Sequence, residues 1–251
     1  MNQERNIRLL IAYDGTCYQG WQRQKEGPTV QGTIEEILSR LTQQKVSLIG
    51  AGRTDAGVHA WGQVANFRTS SELTTTKLES ALKALLPRDI LIRQVQEPGS
   101  TFHSRYSSEA KIYDYFISNQ RQGIPFFRHY VWSIREPIDF NLVKKGLALL
   151  IGENDFSSFQ SQGSQVSQAV RTIYQASVYP VPWAGYRLRF KANGFLRHMV
   201  RNMVGIVIRV GLKRVSLDEL EAVIRAKDRS RAGEMAPPQG LFLRKVFYPP
   251  T

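Results

Sequence analysis

The chain has 251 residues and carries 34 Lys and Arg residues against 21 Asp and Glu residues, a formal net charge of +13. Hydrophobic residues make up 42% of it, which excludes a mainly disordered or collagen-like protein. No stretch approaches the roughly 18 uncharged apolar residues of a membrane span, so we expect no membrane-spanning helix. The length suits one large domain or two modest ones.

The excess of basic residues suggests a polyanionic partner, because Lys and Arg neutralise phosphates and release condensed counterions. A soluble enzyme with a basic surface explains the composition equally well. Cys17 is the only cysteine, so a disulfide framework is impossible and a reducing, cytoplasmic location is expected. No histidine stands at a metal-ligand spacing from Cys17 or from another histidine, so no metal site is expected.

The first part of the chain alternates strand-like and helix-like patterns. Asp14 and Gly15 form a turn signal after the first strand, and apolar residues at helical spacing follow a start signal at Thr29. In chain order, the predicted elements are a strand over 7–13, a helix over 30–41, strands over 46–49 and 62–68, a helix over 78–85 and a strand over 90–95.

A similar cycle follows in the second part. Asp139 is expected to open one helix, and the capping box from Ser216 to Glu219 predicts the start of another. The polar segment 160–168 is expected to be a loop. The predicted elements are a strand over 111–118, a helix over 142–150, strands over 171–179 and 186–192, helices over 195–210 and from 216, and a strand over 241–247.

The element order is roughly β-α-β-β-α-β, repeated once. This order predicts an α+β fold with mixed or antiparallel sheets and helices packed on one face. The pattern breaks at Pro98-Gly99-Ser100, so we expect two similar subdomains, residues 1–105 and residues 106–251.

The densest local signal is the segment 50–60, GAGRTDAGVHA, with three glycines in eight residues. Glycines allow tight turns and close approach of a ligand to the backbone. Arg53, Thr54 and Asp55 lie within this frame. On the residues alone, the segment is also explained as a hairpin loop in which Asp55 caps a turn and Arg53 is solvated.

GRTDAGVHA resembles the signature of the tRNA pseudouridine synthase A family. Met235 departs from the family pattern, since the family usually has Thr there in a local loop. Further pieces match in order along nearly the whole chain; they are YDG from 13, GWQRQ from 20, TVQG from 29, FHSR from 102, KIYDY from 111, GENDF from 152, NGFLRHMVRN from 193 and GLFL from 240.

The resemblance implies the pseudouridine synthase fold, with a basic active-site cleft between two similar subdomains. It also implies conversion of uridine to pseudouridine at positions 38, 39 and 40 of the tRNA anticodon stem-loop. No metal and no organic cofactor are implied. The family is a homodimer in which one tRNA contacts both subunits.

The resemblance makes Asp55 the catalytic aspartate. One carboxylate suits this reaction, either as a nucleophile at C1′ or as a base in a route through a glycal intermediate. A hydrolytic glycosidase typically uses two carboxylates, and no motif places a second acid beside Asp55.

Arg201 is the candidate partner of Asp55. Arg197 and Arg201 are four residues apart in the predicted helix over 195–210, which would place them on one face. We expect Arg201 to be partly buried among the apolar residues of this helix, and a buried guanidinium favours a carboxylate partner. The resemblance assigns Asp55 to Arg201. Alternatively, both arginines lie on the surface. Arg197 and His198 are expected to contact RNA phosphates or to pack structurally.

Further candidates concern the base and the RNA backbone. The resemblance implies that Tyr113 stacks on the flipped uracil and helps to remove the C5 proton; without it, Tyr113 is a sheet aromatic. Leu243 is either an apolar wall of the pocket or core. Arg53 and Arg23 are candidate phosphate contacts.

One further strand, 186–192, alternates basic and apolar residues. Arg187, Arg189 and Lys191 therefore lie on one face, which either contacts RNA or is solvated.

Two other classes of function explain the same surface. A non-catalytic RNA-binding module would bind tRNA and leave uridine unchanged. A base-releasing glycosylase would set free uracil, whereas an isomerase releases nothing.

Overall fold

The computed structural model describes residues 4–119, 125–161 and 168–250. The chain forms two compact units. The first contains Met1–Glu109 and Leu243–Thr251, and the second contains Ala110–Phe242. This division differs from the expected one at residue 105, because the end of the chain returns to the first unit.

The helices and strands confirm the α+β class. In chain order they are β1 (Arg5–Tyr13), α1 (Val30–Thr42), β2 (Ile49–Gly50), β3 (His59–Thr69), α2 (Thr75–Leu85), β4 (Ile90–Gln96), β5 (Ala110–Ser118), β6 (Trp132–Ser133), α3 (Phe140–Ala148), β7 (Gly152–Asp155), β8 (Val170–Val181), β9 (Gly185–Ala192), α4 (Met199–Gly211), α5 (Leu217–Ala226) and β10 (Leu241–Phe247).

The strands of the first unit follow the order β4-β1-β3-β10, with β10 belonging to this unit from Leu243 onward, and the short β2 pairs with β3. Strand β1 is antiparallel to both of its neighbours. Its buried residues Ile7, Leu9 and Ile11 alternate with more accessible ones, as expected for a sheet with one covered face. Leu38 of α1 and Leu78 of α2 are fully buried, so both helices contribute to the core of this unit.

In the second unit the strand order is β5-β9-β8-β7, and β6 pairs in parallel with β5. The pairs β5–β9, β8–β9 and β7–β8 are antiparallel. Helix α4 is buried along almost its whole length, which explains why its sequence is nearly all apolar. Among the residues that the structure describes, no helix is both long and apolar enough to cross a membrane.

The predicted helix over 195–210 was wrong at its beginning. Helix α4 begins at Met199, and His198 before it has a left-handed backbone with φ of 63°. A left-handed residue interrupts the helical path, so Arg197 precedes the helix. The i, i+4 placement of Arg197 and Arg201 on one helical face was therefore wrong.

Two short strands escaped prediction, and one predicted strand is shorter. Strand β7 has the polar sequence GEND and exists because it pairs with β8; β6 pairs with β5 in the same way. The predicted strand over 46–49 is reduced to Ile49–Gly50. Of the predicted loop over 160–168, residues 162–167 lie outside the described part of the chain.

Candidate active site

The segment 50–60 of the first unit joins β2 to β3. Its beginning is tied to the sheet by a hydrogen bond from the Ala51 N–H to the Val64 carbonyl, at 2.8 Å. The Val58 N–H donates to the Asp55 carbonyl at 3.1 Å, which closes a tight turn. Asp55 itself is half-buried. We call this segment the Asp55 loop.

Side chains of β1 and β3 hold the residues that precede Asp55. The hydroxyl groups of Tyr13 and Thr54 lie 2.7 Å apart, and Gln63 Nε2 donates to the Gly52 carbonyl at 2.8 Å. Burial raises the pKa of Tyr13 well above its ordinary range, partly opposed by hydrogen bonds with Thr54 and Gln63. Tyr13 therefore keeps its proton, and the contact with Thr54 is a neutral hydrogen bond.

The segment from Gly20 packs directly on the backbone of the Asp55 loop. The Trp21 N–H donates to the Thr54 carbonyl at 3.1 Å. Gly20 has φ of +93°, and a Cβ on it would lie 2.5 Å from that carbonyl oxygen and 3.0 Å from the Asp55 carbonyl carbon. Only glycine allows both this backbone conformation and this approach.

A second glycine contact closes the other side of the loop. The Gly15 N–H donates to His59 Nδ1 at 3.0 Å, and a Cβ on Gly15 would lie 2.0 Å from the Val58 carbonyl oxygen. Because a backbone N–H can only donate, Nδ1 is an acceptor here, and the proton of a neutral ring lies on Nε2. The same Nδ1 also lies 3.1 Å from a carboxylate oxygen of Asp14.

The predicted basic candidates of the first unit are on its surface. Arg53 is exposed, and its Nε donates to Gln22 Oε1 at 3.2 Å. Arg23 lies 3.3 Å from the carboxylate of Glu35 and keeps 60% of its side-chain surface exposed. Leu243 is fully buried, so its role as a pocket wall remains a prediction beside ordinary core packing.

Tyr113 lies in β5 of the second unit, opposite Phe190 of β9. Its ring is nearly buried and meets the Phe195 ring edge-on, with centroids 5.1 Å apart and an angle of 84°. Edge-to-face contacts of this kind are favourable, so the ring has a defined orientation.

Arg201 occupies the first turn of α4 and is 8% exposed. Its Nε donates to the Ala236 carbonyl at 2.8 Å, and the Ala236 N–H donates to the Arg201 carbonyl at 3.1 Å. The next residue is held too, because the Tyr115 hydroxyl donates to the Pro237 carbonyl at 2.7 Å. Met235, the residue at which the sequence differs from the pattern of the family it resembles, comes directly before Ala236. The loop that contains Met235 therefore also orients Arg201.

Arg197 and His198 lie just before α4. Arg197 is exposed, as a phosphate contact would be. His198 is half-buried, with Nδ1 2.5 Å from the Ser161 hydroxyl. A left-handed backbone is uncommon for a residue with a side chain, and this one sets the angle at which the chain enters α4.

The alternation predicted for the basic strand is confirmed, since Leu188 and Phe190 of β9 are fully buried. Arg189, however, already has a partner: it donates to both carboxylate oxygens of Asp114, at 2.7 and 2.8 Å. The hydrogen bond with Asp114 raises the pKa of Arg189. Arg187 lies over the ring of Tyr179 and, like Lys191, is only half-buried.

The candidates divide between the two units. The first unit holds Asp55, Arg53, Arg23 and Leu243, and the second holds Tyr113, Arg197, His198 and Arg201. Partnership of Asp55 with Arg201 and Tyr113 stays a prediction. Within the described ranges, no group of three or more His, Cys, Asp or Glu residues could hold a metal ion.

Sequence reasoning missed the residues that support the Asp55 loop, namely Tyr13, Gln63 and Trp21. Tyr13 and Trp21 stand in motifs that the sequence singled out, but their contacts with residue 54 span 41 and 33 residues of chain. No local pattern encodes contacts at such separations.

A family model described as tRNA pseudouridine synthase matches residues 9–107 and 147–249 of the chain. The chain belongs to the tRNA pseudouridine synthase family. The matched ranges include Asp55 and Arg201, whereas Tyr113 stands between them.

Relatives within the tRNA pseudouridine synthase family match almost from end to end. A protein of Thermoanaerobacter sp. (strain X514) is 42% identical over 244 residues, which cover 97% of this chain and 100% of the relative. A protein of Acetivibrio thermocellus has the same identity and coverage. Both are named tRNA pseudouridine synthase A. A protein of Desulfotalea psychrophila, named tRNA pseudouridine synthase A 1, is 43% identical over 250 residues, covering 97% of this chain and 100% of the relative.

Proposed function

We propose that the protein is an isomerase that converts uridine to pseudouridine in tRNA, at positions 38, 39 and 40 of the anticodon stem-loop. The observation that carries this proposal is the end-to-end match to proteins named tRNA pseudouridine synthase A. The surroundings of Asp55 support the proposal. Asp55 is half-buried, and the backbone of its loop is held in place by β1, by β3, by Gly15 and by the segment from Gly20.

The reaction breaks the N1–C1′ bond of uridine, rotates the uracil and joins its C5 to C1′. The proton of C5 is lost and N1 gains one, so the product is an isomer of the substrate. Asp55 acts at the sugar, as a nucleophile on C1′ or as a base, and its charge stabilises the oxocarbenium-like transition state. A preorganised carboxylate is effective because no reorganisation is needed during the reaction.

Two residues of the second unit complete the proposed site. Arg201 pairs with Asp55 and keeps it ionised, because a nearby opposite charge favours the charged form. Its Nε bond to Ala236 supports this role, since the guanidinium has a fixed orientation. Tyr113 stacks on the uracil and assists removal of the C5 proton, and the edge contact with Phe195 would hold its ring in place.

Basic residues that are exposed or half-buried bind the tRNA backbone. Extrusion of a uridine from its stack costs roughly a few kcal/mol, and contacts with phosphates offset that cost. The candidates are Arg23, Arg53, Arg187, Lys191, Arg197 and His198. Leu243 forms an apolar wall of the uridine pocket. The enzyme acts in the cytoplasm. It is a homodimer in which one tRNA contacts both subunits.

Asp55→Asn tests the proposal with the least change of shape. With unmodified tRNA labelled with tritium at C5 of uridine, we expect tritium release to fall by roughly 10³-fold or more, with tRNA binding retained. Asp218→Asn, in the exposed first turn of α5, is the matched control and keeps full activity.

The same assay separates the other classes of function. If the Asp55→Asn variant still converted uridine, Asp55 would not be the catalytic residue. Binding of tRNA by the wild-type protein without any tritium release would indicate a non-catalytic module, and free uracil would indicate a glycosylase.

A further inference from the structure

Glu35 is a buried carboxylate that the proposed chemistry does not use. It lies in α1, and only 4% of its side-chain surface is exposed. A buried carboxylate is costly unless hydrogen bonds and an opposite charge compensate it. The hydrogen-bond donors and the positive charge around Glu35 therefore indicate which groups this carboxylate holds in place.

The two oxygens of Glu35 have different partners. Oε1 accepts hydrogen bonds from Gln31 Nε2 at 2.9 Å and from the Leu48 N–H at 2.8 Å. Oε2 is buried and, within the described part of the chain, accepts no hydrogen bond. It lies 3.3 Å from a terminal nitrogen of Arg23. The guanidinium of Arg23 is thus the positive charge that faces this oxygen.

Arg23 is held at its backbone and at one terminal nitrogen, and the middle of its side chain passes over Gly32. Its backbone N–H donates to Gln31 Oε1 at 2.9 Å, and its Cγ and Cδ pass 3.7 and 3.9 Å from where a Cβ of Gly32 would lie. Glu35 holds one nitrogen at the end, yet 60% of the side-chain surface stays exposed. An arginine has five N–H donors in a rigid fork, so contact with one carboxylate oxygen leaves donors for a second anion.

We propose that Glu35 is a positioning residue, which holds Arg23 in one orientation so that the guanidinium binds a phosphate of the tRNA backbone. The proposal rests on the proposed function and concerns how the substrate is bound. Holding the side chain before binding reduces the entropy lost when the phosphate contact forms. Through Leu48, the same carboxylate also anchors the residue before β2, the strand that leads into the Asp55 loop.

The direction in which RNA binding changes when Glu35 is replaced distinguishes a positioning role from a purely electrostatic one. If Glu35 acted only through its charge, its removal would make the surface more positive and would tighten RNA binding. Positioning predicts the reverse, because a released Arg23 loses its orientation. The matched control is Glu36→Gln on the exposed side of the same helix, which removes the same charge without contact to Arg23.

The first experiment compares steady-state kinetics of Glu35→Gln and Glu36→Gln on unmodified tRNA. We expect Glu35→Gln to raise KM roughly tenfold, the effect of one lost charge-assisted hydrogen bond. We expect little change of kcat, since a contact with a backbone phosphate that does not react is made equally in the ground and transition states. Glu36→Gln should keep the wild-type KM or lower it slightly, as the loss of a negative charge alone would. A wild-type or lower KM for folded Glu35→Gln overturns the proposal.

The second experiment shows whether the effect passes through Arg23. Arg23→Ala should raise KM by a similar factor and lower the slope of log Kd against log salt by about one. Adding Glu35→Gln to that variant should change KM little further. An Arg23→Ala variant with wild-type KM and salt slope overturns the proposal, whether or not Glu35→Gln folds.

Folding is followed by the thermal unfolding midpoint. If Glu35→Gln does not fold, Glu35→Asp replaces it; the shorter side chain keeps the charge but retracts from Arg23, so KM is expected to rise, and an unchanged KM counts against positioning. Wild-type turnover and its loss in Asp55→Asn decide the proposed function separately from these outcomes.

Discussion

The hydroxyl of Tyr13, at the end of β1, lies 2.7 Å from the hydroxyl of Thr54, the residue immediately before Asp55. Both groups are buried, so this bond is shielded from water. The first strand of the fold thereby holds the backbone that carries the proposed catalytic carboxylate.

Tyr13→Phe removes that bond and retains the ring. We expect a loss of about 1–2 kcal/mol in the free energy of unfolding, measured by urea denaturation, and a kcat that falls more than KM rises, because Asp55 loses a support. Tyr248→Phe is the matched control, since its hydroxyl makes a bond of 2.7 Å to the Ser104 carbonyl. It should lose comparable stability with unchanged kcat; equal kcat in both variants would contradict the prediction.

Gly20→Ala places a methyl group against the Asp55 loop. The φ of +93° and the 2.5 Å approach to the Thr54 carbonyl predict destabilisation by roughly 1–3 kcal/mol together with a lower kcat. In Gly99→Ala the new Cβ has no atom within 4 Å and φ is not positive, so stability should be unchanged or slightly higher. Thermal unfolding and turnover of both variants check this, and a Gly20→Ala protein as active as Gly99→Ala would show that the loop accommodates the methyl group.

Asp114→Asn breaks a largely buried ion pair in the second unit. The Asp114 side chain is 1% exposed and that of Arg189 is 23% exposed, so the variant leaves a partly buried charge without its partner. We expect a loss of about 2–3 kcal/mol in urea unfolding. Glu221→Gln removes an exposed pair with Arg225 and should change stability by less than about 0.5 kcal/mol. Similar losses of unfolding free energy in the two variants would refute the claim that the largely buried ion pair contributes more than the exposed one.

The contacts of Asp155 predict that the free energy of unfolding falls at acid pH. Hydrogen bonds from the Ser157 side chain and backbone, and the contact with Lys227, lower the pKa of Asp155 below its ordinary value of 3.8, against a smaller effect of burial. A carboxyl with a lowered folded-state pKa stabilises the fold above its unfolded pKa and loses that contribution as pH falls through the folded pKa.

The difference in unfolding free energy between wild type and Asp155→Asn should therefore be largest near pH 7 and shrink below about pH 4. Urea denaturation of both proteins at pH 7 and pH 3 measures it. A difference that is equal at both pH values would show that the ionised form makes no special contribution.

Features that depend on neighbours in the chain were predictable. Thr29 caps α1, Asp139 caps α3, and Ser216 and Glu219 form the capping box of α5. Strand β10 covers the predicted residues 241–247. Each of these depends on contacts within about four residues or on an alternating pattern, and both are visible in the order of the side chains.

The sequence by itself therefore determined the α+β class, most element positions and, through its motifs, the family. Tertiary structure alone decided that β10 belongs to the first unit from Leu243 onward, that β7 is a strand, that Tyr13 supports Thr54 and that Glu35 faces Arg23. The physical reason is separation along the chain: polar groups that must find partners when buried take them from strands and loops many residues away, and no periodicity of the sequence records which ones.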